Sequence, residues 1–252
     1  MFSNEELERY ARHIVLRDVG GPGQQKLKSA KVLVIGAGGL GAPVLSYLAA
    51  AGVGILGCVD DDHVSLSNLQ RQIIHDTENI HMAKTKSAEH AIQRINPHVT
   101  FNAHSIRLDR DNGPEILKDY DFVADGTDNF ASRYAIADMC EQAEIPLVTA
   151  AVGQFDGSIT TLKPYEPDKN GALNPRYRDL FPSPPPDGSI PTCAQAGVLG
   201  ALTGVIGSMQ ALEIIKEIVG IGEGLVGRLL LYDARACRFE TINYKRRSTP
   251  AD

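Results

Sequence analysis

Three charged residues stand where they could serve phosphoryl or nucleotidyl transfer. They are Arg71 in Ser67-Asn-Leu-Gln-Arg-Gln72, Lys84, and Asp128 in Asp125-Gly-Thr-Asp-Asn129. Upstream lies Gly36-Ala-Gly-Gly-Leu-Gly41, in which Gly36, Gly38 and Gly41 match G-x-G-x-x-G. Such glycines allow a tight turn, and the helix that follows offers unpaired N–H groups to phosphate. Asp60 falls after the next apolar run, about 20 residues on, where a carboxylate usually meets ribose hydroxyls. The glycine loop alone does not separate NAD, FAD and ATP. Arg71, Lys84 and Asp128 help to do so. A dehydrogenase holds a diphosphate largely through backbone amides. Cleaving a triphosphate calls for cationic side chains and a metal ion against the charge moving onto pyrophosphate. Asp128 is a hard oxygen ligand suited to Mg²⁺. Each residue also has a plainer reading. Arg71 and Lys84 could be surface charges, and Asp128 or Asn129 could cap a helix starting at Phe130, with Asp125 equally ambiguous.

The elements that must position these residues follow from periodicity. Ser3 with Glu6 forms a capping box, and Leu7, Tyr10, Ala11 and Ile14 recur at helical spacing, so one amphipathic helix is expected over 4–16. Gly20-Gly-Pro-Gly23 is expected to stop it, with a short helical stretch then running to Ala30. Strands are expected over 31–35, 54–59, 99–103, 122–124, 146–151 and 158–163. Helices are expected from the glycine loop to Ala51, over 83–95 and over 130–143. This alternation predicts an α/β, Rossmann-like nucleotide-binding fold with a mostly parallel sheet. The ligand site should lie past the carboxyl ends of the strands, at the switch point. Residues 164–191, rich in Pro, Gly, Asp and Asn, read as a long irregular segment, and loops of that length are usually functional or disordered. A long helix to Val219 follows. Strands over 228–232 and 238–244 close the chain as an antiparallel extension.

With 252 residues, 43% of them hydrophobic, the chain has ample length for one sizeable core. A net charge of −6 argues against nonspecific nucleic-acid binding, and Lys245-Arg-Arg247 reads as a solvated tail. The N-terminus lacks a basic and an apolar leader region, and the apolar stretch 198–219 is interrupted by Gln210, Glu213 and Lys216, so it reads as a buried helix rather than a membrane span. A soluble cytoplasmic protein is expected. Cys58, Cys140, Cys193 and Cys237 form no CxxC pair. Cys58 and Cys140 read as buried packing residues and Cys237 as structural.

Taken together, Arg9-Tyr-Ala-Arg-His13, Gly36–Gly41, Asp60-Asp-Asp62, Ser67–Gln72, Lys84, Thr127-Asp-Asn129 and Thr192-Cys-Ala-Gln-Ala-Gly-Val198 resemble the ThiF/MoeB/HesA activating enzymes, relatives of the ubiquitin-activating enzymes. The resemblance covers nearly the whole chain. It implies a single domain with N-terminal helices (1–30), a nucleotide-binding core (31–163), a mobile crossover loop (164–192) and a C-terminal helix and strands (193–252). It implies ATP- and Mg²⁺-dependent adenylation of the C-terminal Gly-Gly carboxylate of a small β-grasp, ubiquitin-like sulfur carrier, with release of pyrophosphate. By the same resemblance Gly36, Gly38, Gly39 and Gly41 would form the phosphate loop. Asp60, with Asp62 nearby, would hold the ribose. Ser67, Asn68, Leu69, Gln70, Arg71, Lys84 and Asn129 would line the nucleotide, with Asn68, Arg71 and Lys84 on its phosphates, and Asp128 would bind Mg²⁺. Arg12 would reach the triphosphate, and the site would be completed across a homodimer, with Arg12 or Arg71 acting in trans. The expected carrier is MoaD-like, in molybdopterin synthesis. A ThiS-like carrier in thiamine synthesis and a non-catalytic nucleotide-binding scaffold are the alternatives. An NAD-dependent oxidoreductase would not need Arg71, Lys84 and Asp128 together, and an enzyme acting on a tRNA-borne carboxylate should carry a basic surface.

Cys193, near a helix start, could be a reactive thiol that receives a thioester or persulfide, or simply a small residue there. The chain departs from the family in one respect. Two CxxC pairs that hold structural zinc in many members are missing. Arg176 and Asp179 occupy the first pair, and the second would fall in the segment Lys245–Asp252. No zinc is therefore expected, and the crossover loop should be mobile without a partner. No rhodanese-like extension follows residue 252, so sulfur would come from a separate donor protein.

Overall fold

Four of the five residues of Lys31–Ile35 are buried, so this strand must be covered on both faces. In the computed structural model, which describes residues 1–184, 186 and 196–248, it is the inner strand β1. Around it, in chain order, lie α1 (Asn4–Arg9), α2 (Ala11–Ile14), α3 (Gly20–Ser29), β1 (Lys31–Ile35), α4 (Gly41–Ala51), β2 (Ile55–Val59), α5 (Lys84–Ile95), β3 (Thr100–His104), α6 (Gly113–Leu117), β4 (Phe122–Asp125), α7 (Phe130–Gln142), β5 (Leu147–Val152), β6 (Asp156–Leu162), α8 (Tyr177–Leu180), α9 (Gly200–Val219), β7 (Arg228–Asp233) and β8 (Arg238–Asn243). Val32 and Val34 face one core with Leu45, Leu48, Ile92 and Ile206, while Leu33 and Ile35 face another with Leu117, Val123, Ile136 and Leu147.

The sheet runs β3-β2-β1-β4-β5-β6-β7-β8. The first five strands in that order are parallel, and β6, β7 and β8 continue the sheet antiparallel, as expected. The order reverses between β1 and β4. The loops leaving those two strands, which carry Gly36–Gly41 and Gly126–Asn129, therefore flank one crevice. The expected helices and strands of the core are present within a residue or two at each end. The short helix α6 carried no periodicity long enough to announce it.

The N-terminal region differs from expectation. The capping box is present, with Glu6 N–H donating to Ser3 Oγ at 3.1 Å and Ser3 N–H to Glu6 Oε2 at 2.8 Å. The single helix over 4–16 is instead two, broken at Tyr10, whose φ is −97° and ψ 9°. Tyr10 is buried, and its hydroxyl accepts from Asn96 Nδ2 at 2.8 Å, so tertiary packing overrides the helical run. Gly20-Gly-Pro-Gly23 does not stop a helix but forms the first turn of α3. The N–H that Pro22 lacks would have had no partner there in any case.

The segment from Pro164 to Pro184 contains α8 and is held by side chains. Asp179 accepts from Arg176 Nε at 3.1 Å, Arg176 Nη2 at 3.0 Å and the Arg176 N–H at 2.8 Å. It also accepts from the N–H of Arg247, at 3.1 Å. Arg246 Nη1 donates to the carbonyls of Pro164 at 2.8 Å and Asn174 at 3.1 Å. The Arg176–Asp179 ion pair lies within the crossover segment, and hydrogen bonds from Arg246 and Arg247 tie that segment to the C-terminal one. A guanidinium has no lone pair to offer a metal, so this pair does not fit zinc. Cys58 and Cys140 are buried as expected, and burial pushes both thiols up. Cys237, expected to be structural, is instead exposed at the β7–β8 turn. No helix among the described residues is long and apolar enough to cross a membrane.

Candidate active site

The glycine loop leaves β1 through Gly36, whose φ of +95° only glycine adopts freely. A side chain at Gly41 would overlap the Gly36 carbonyl oxygen, so this glycine packs the start of α4 against the loop and does not line the cavity. Gly38 is open to the cavity, and Gly39 lies against Thr203 of α9. The loop is pinned from beneath. Ala37 N–H donates to Asp60 Oδ2 at 2.8 Å, and the Ala37 carbonyl sits 2.9 Å from His75 Nε2. A carbonyl only accepts, so Nε2 carries the proton and Nδ1 accepts from Ser87 Oγ, at 2.9 Å. Burial lowers the pKa of His75 and keeps the ring neutral. Asp60 Oδ1 accepts the N–H of Asp62 at 2.9 Å, and lone pairs remain on both oxygens.

Lys84 opens α5 and is nearly buried, its side chain 7% exposed, so a bare surface charge is excluded. Its Nζ contacts Asp62 Oδ2 at 2.8 Å, on a carboxylate that is 71% exposed. Arg71 uses Nη1 on the Ser67 carbonyl at 3.1 Å and lines the cavity with its other donors available. Ser67, Asn68, Leu69 and Gln70 lie outside the cavity. They build the turn that delivers Arg71. Asn68 Oδ1 accepts the N–H of Ser65 at 3.1 Å, and the Ser65 and Ser67 hydroxyls are 3.0 Å apart. Gln70 packs against Gly200.

The three residues that could have capped α7 have separate tasks. Asn129 is the cap, its Oδ1 accepting from the Ser132 N–H at 2.9 Å. Asp125 is buried and accepts from Thr127 N–H at 2.9 Å, Thr127 Oγ1 at 2.7 Å and Thr149 Oγ1 at 2.8 Å. Asp128 is exposed at the cavity rim and makes no hydrogen bond or ion pair with any described residue. It is the carboxylate left for a cation. Among the described residues no group of three His, Cys, Asp or Glu side chains could hold a metal by itself. Nucleotide-bound Mg²⁺ needs only one or two carboxylates besides phosphate oxygens and waters, so Asp128 fits that ion.

The cavity so formed measures about 380 Å³ and brings together Gly36, Gly38, Gly39, Asp60, Asp62, Arg71, Lys84, Asp128 and Asn129. Arg12 lies outside it, exposed on α2. Cys193 lies outside the described residues. Among the lining residues not expected in the site are the polar groups Gln72, Arg107, Arg133 and Thr203. Gln72 adjoins Arg71, and Arg133 stands four residues beyond Asn129 on the helix it caps, so both had a spacing signal. Arg107 and Thr203 had none. Gln72 Oε1 and Arg133 Nε are buried without a hydrogen-bond partner among the described residues.

Comparison with known proteins fits this geometry. The pattern of the ThiF family matches residues 10–251. The chain belongs to the ThiF family. It is 47% identical over 249 residues to the probable adenylyltransferase/sulfurtransferase MoeZ of Mycobacterium tuberculosis, covering 98% of this chain and 63% of that protein. It is 46% identical over 245 residues to the sulfur carrier protein adenylyltransferase of Thermus thermophilus, covering 97% of this chain and 90% of that one. The crystal structure of PaaA has the same fold, with a TM-score of 0.80 at 23% identity over 97% of this chain and 75% of that one. This ThiF-family chain thus spans less than two thirds of MoeZ but nearly the full length of the Thermus protein.

Proposed function

We propose that the cavity binds ATP with Mg²⁺ and that the protein transfers the adenylyl group to the C-terminal Gly-Gly carboxylate of a small ubiquitin-like sulfur carrier, releasing pyrophosphate. The observation that carries this reading is the convergence of Arg71, Lys84 and the unpartnered Asp128 on one glycine loop. A site for a dinucleotide that is never cleaved needs no such set. The names of the MoeZ and Thermus relatives support the same reaction class.

A carboxylate is already the nucleophile at neutral pH, so no general base is required. The work left to the protein is in-line positioning and charge neutralisation. Asp60 has lone pairs for the ribose hydroxyls, and the backbone of Gly38 and Gly39 faces the phosphates. Lys84 and Arg71 meet the charge that builds on pyrophosphate. Mg²⁺ bound at Asp128 would share that neutralisation. Arg12, remote from the cavity of its own chain, fits a role across a homodimer, reaching the partner's site. Sulfur would then come from a separate donor protein. The proposed carrier is MoaD-like, in molybdopterin synthesis.

The test is ATP–pyrophosphate exchange with each candidate Gly-Gly carrier added in turn. Exchange should need one carrier and vanish in Asp128→Ala. A ThiS-like carrier in that position would move the pathway to thiamine. No exchange with any carrier, despite ATP binding, would overturn the proposal.

A further inference from the structure

Arg133 is a buried cation that the chemistry above does not use. It lies in the first turn of α7, is 8% exposed, and lines the cavity. The position is electrostatically adverse, because a helix N-terminus already carries partial positive charge. Among the described residues it has no carboxylate in salt-bridge range. Its Nη2 donates to the Thr127 carbonyl at 2.9 Å, and the guanidinium also meets the Tyr177 hydroxyl and the Phe130 ring. That carbonyl belongs to the peptide joining Thr127 to Asp128. The other end of Thr127 is held equally firmly, its N–H and hydroxyl both donating to Asp125 Oδ1, at 2.9 and 2.7 Å. Asp125 is itself fixed by Thr149, and its carbonyl accepts from Gln210 Nε2 of α9 at 2.9 Å. Asn129, on the far side of Asp128, is fixed by capping α7.

We infer that Arg133 is a positioning residue for the metal ligand: with Asp125 it clamps Thr127 from both sides, so that Asp128, which makes no hydrogen bond or ion pair with a described residue, is presented to a divalent cation at a fixed place. The inference rests on the proposed nucleotide–metal site. A rigid backbone substitutes for the hydrogen bonds that normally orient a ligating carboxylate, and loss of such outer support typically costs about 10- to 100-fold in metal affinity.

The test is a titration of Mn²⁺ into the full-length protein with and without ATP, followed by electron paramagnetic resonance. It reads metal binding whether or not a carrier is ever activated. Arg133→Gln should weaken Mn²⁺ binding in the ATP complex about tenfold, while ATP affinity in EDTA stays within about twofold, because the glycine loop is untouched. Arg133→Lys, which can still reach a carbonyl, should recover part of the loss. Should Arg133→Gln fail to fold, Thr127→Val decides, since it removes only the hydroxyl donated to Asp125 and should weaken Mn²⁺ in the same sense. Unchanged Mn²⁺ affinity in the folded variants overturns the inference, as does an equal loss of metal-free ATP binding. Absence of any ATP-dependent Mn²⁺ site in the unaltered protein would instead count against the proposed function.

Discussion

Asp179 offers the sharpest stability test in the molecule. Its side chain is 1% exposed and takes hydrogen bonds from Arg176 Nε, Nη2 and N–H and from the Arg247 N–H. Asp179→Ala leaves two backbone donors and a guanidinium without their acceptor. Removing one partner of a buried pair costs about 3–5 kcal/mol. Arg176 is 18% exposed and can partly rehydrate, which places the loss at the low end, ~3 kcal/mol. For a chain of this size that corresponds to a fall in Tm of ~6–12 °C. Arg176→Ala should cost less, ~1–2 kcal/mol, because two backbone N–H groups still serve the carboxylate. A double-mutant cycle by calorimetry measures the coupling directly. Burial by itself would push the Asp179 carboxyl up, but the hydrogen bonds from Arg176 and Arg247 outweigh it and hold the group below its ordinary 3.8. The contribution is therefore fully present above about pH 4 and lost as pH falls through the lower folded value. Because a guanidinium has no lone pair to offer a metal, a chelator should leave Tm unchanged. A Tm within ~1 °C of the unaltered protein in Asp179→Ala, or a marked fall with EDTA, would refute the reasoning.

Three further outcomes follow from the site. His75 is held neutral by burial, so the unfolded chain takes up a proton below pH 6.5 that the folded chain refuses, and stability should decline with acid there. His104, lowered by burial too, shares that slope, and His75→Gln should flatten it in part, as urea melts between pH 5 and 7.5 would show. Among the described residues Lys84 is paired with an exposed carboxylate alone, so Lys84→Met should cost no more than about 1 kcal/mol of stability but slow carrier-dependent pyrophosphate exchange ~100-fold. Unaltered exchange would remove Lys84 from the machinery. Gly41→Ala forces a methyl onto the Gly36 carbonyl oxygen, which is backbone and moves only with the loop. It should cost ~3 kcal/mol or more and abolish ATP binding, both read in one thermal-shift series.

What could be read from sequence divides by distance along the chain. Glycines, a carboxylate and a lysine placed just past strand ends announce themselves, because strand order and crossover handedness carry those ends to one crevice. The antiparallel extension was equally visible in pattern, whereas the crossover segment, read as irregular and mobile, carries α8 and the tethers of Asp179 and Arg246 over 164–184. The turn Ser67–Gln70 lies outside the cavity and delivers Arg71, with Asn68 Oδ1 and the Ser67 hydroxyl serving the turn itself. The mistaken helix over 4–16 failed for a tertiary reason, since Tyr10 is drawn into the gap that Gly52 leaves and toward Asn96.

Thr203 and Gln210 had no signal at all, and the reason is physical. They belong to α9, remote in sequence from the nucleotide loops, and their spacing there is that of any packed helix. Only the close crossing of α9 over α4, which Gly207 permits beside the Leu40 carbonyl, brings Thr203 against Gly39 and lets Gln210 donate to the carbonyls of Asp125 and Val148. The helix that closes the back of the sheet thus also fixes the carboxyl end of β4, from which the Asp128 loop departs, and ties it to the start of β5. Alanine at Gly207 should therefore press on Pro43 and on the carbonyl of Leu40, which lines the cavity, and weaken nucleotide binding in a thermal-shift titration although residue 207 itself lies outside the wall.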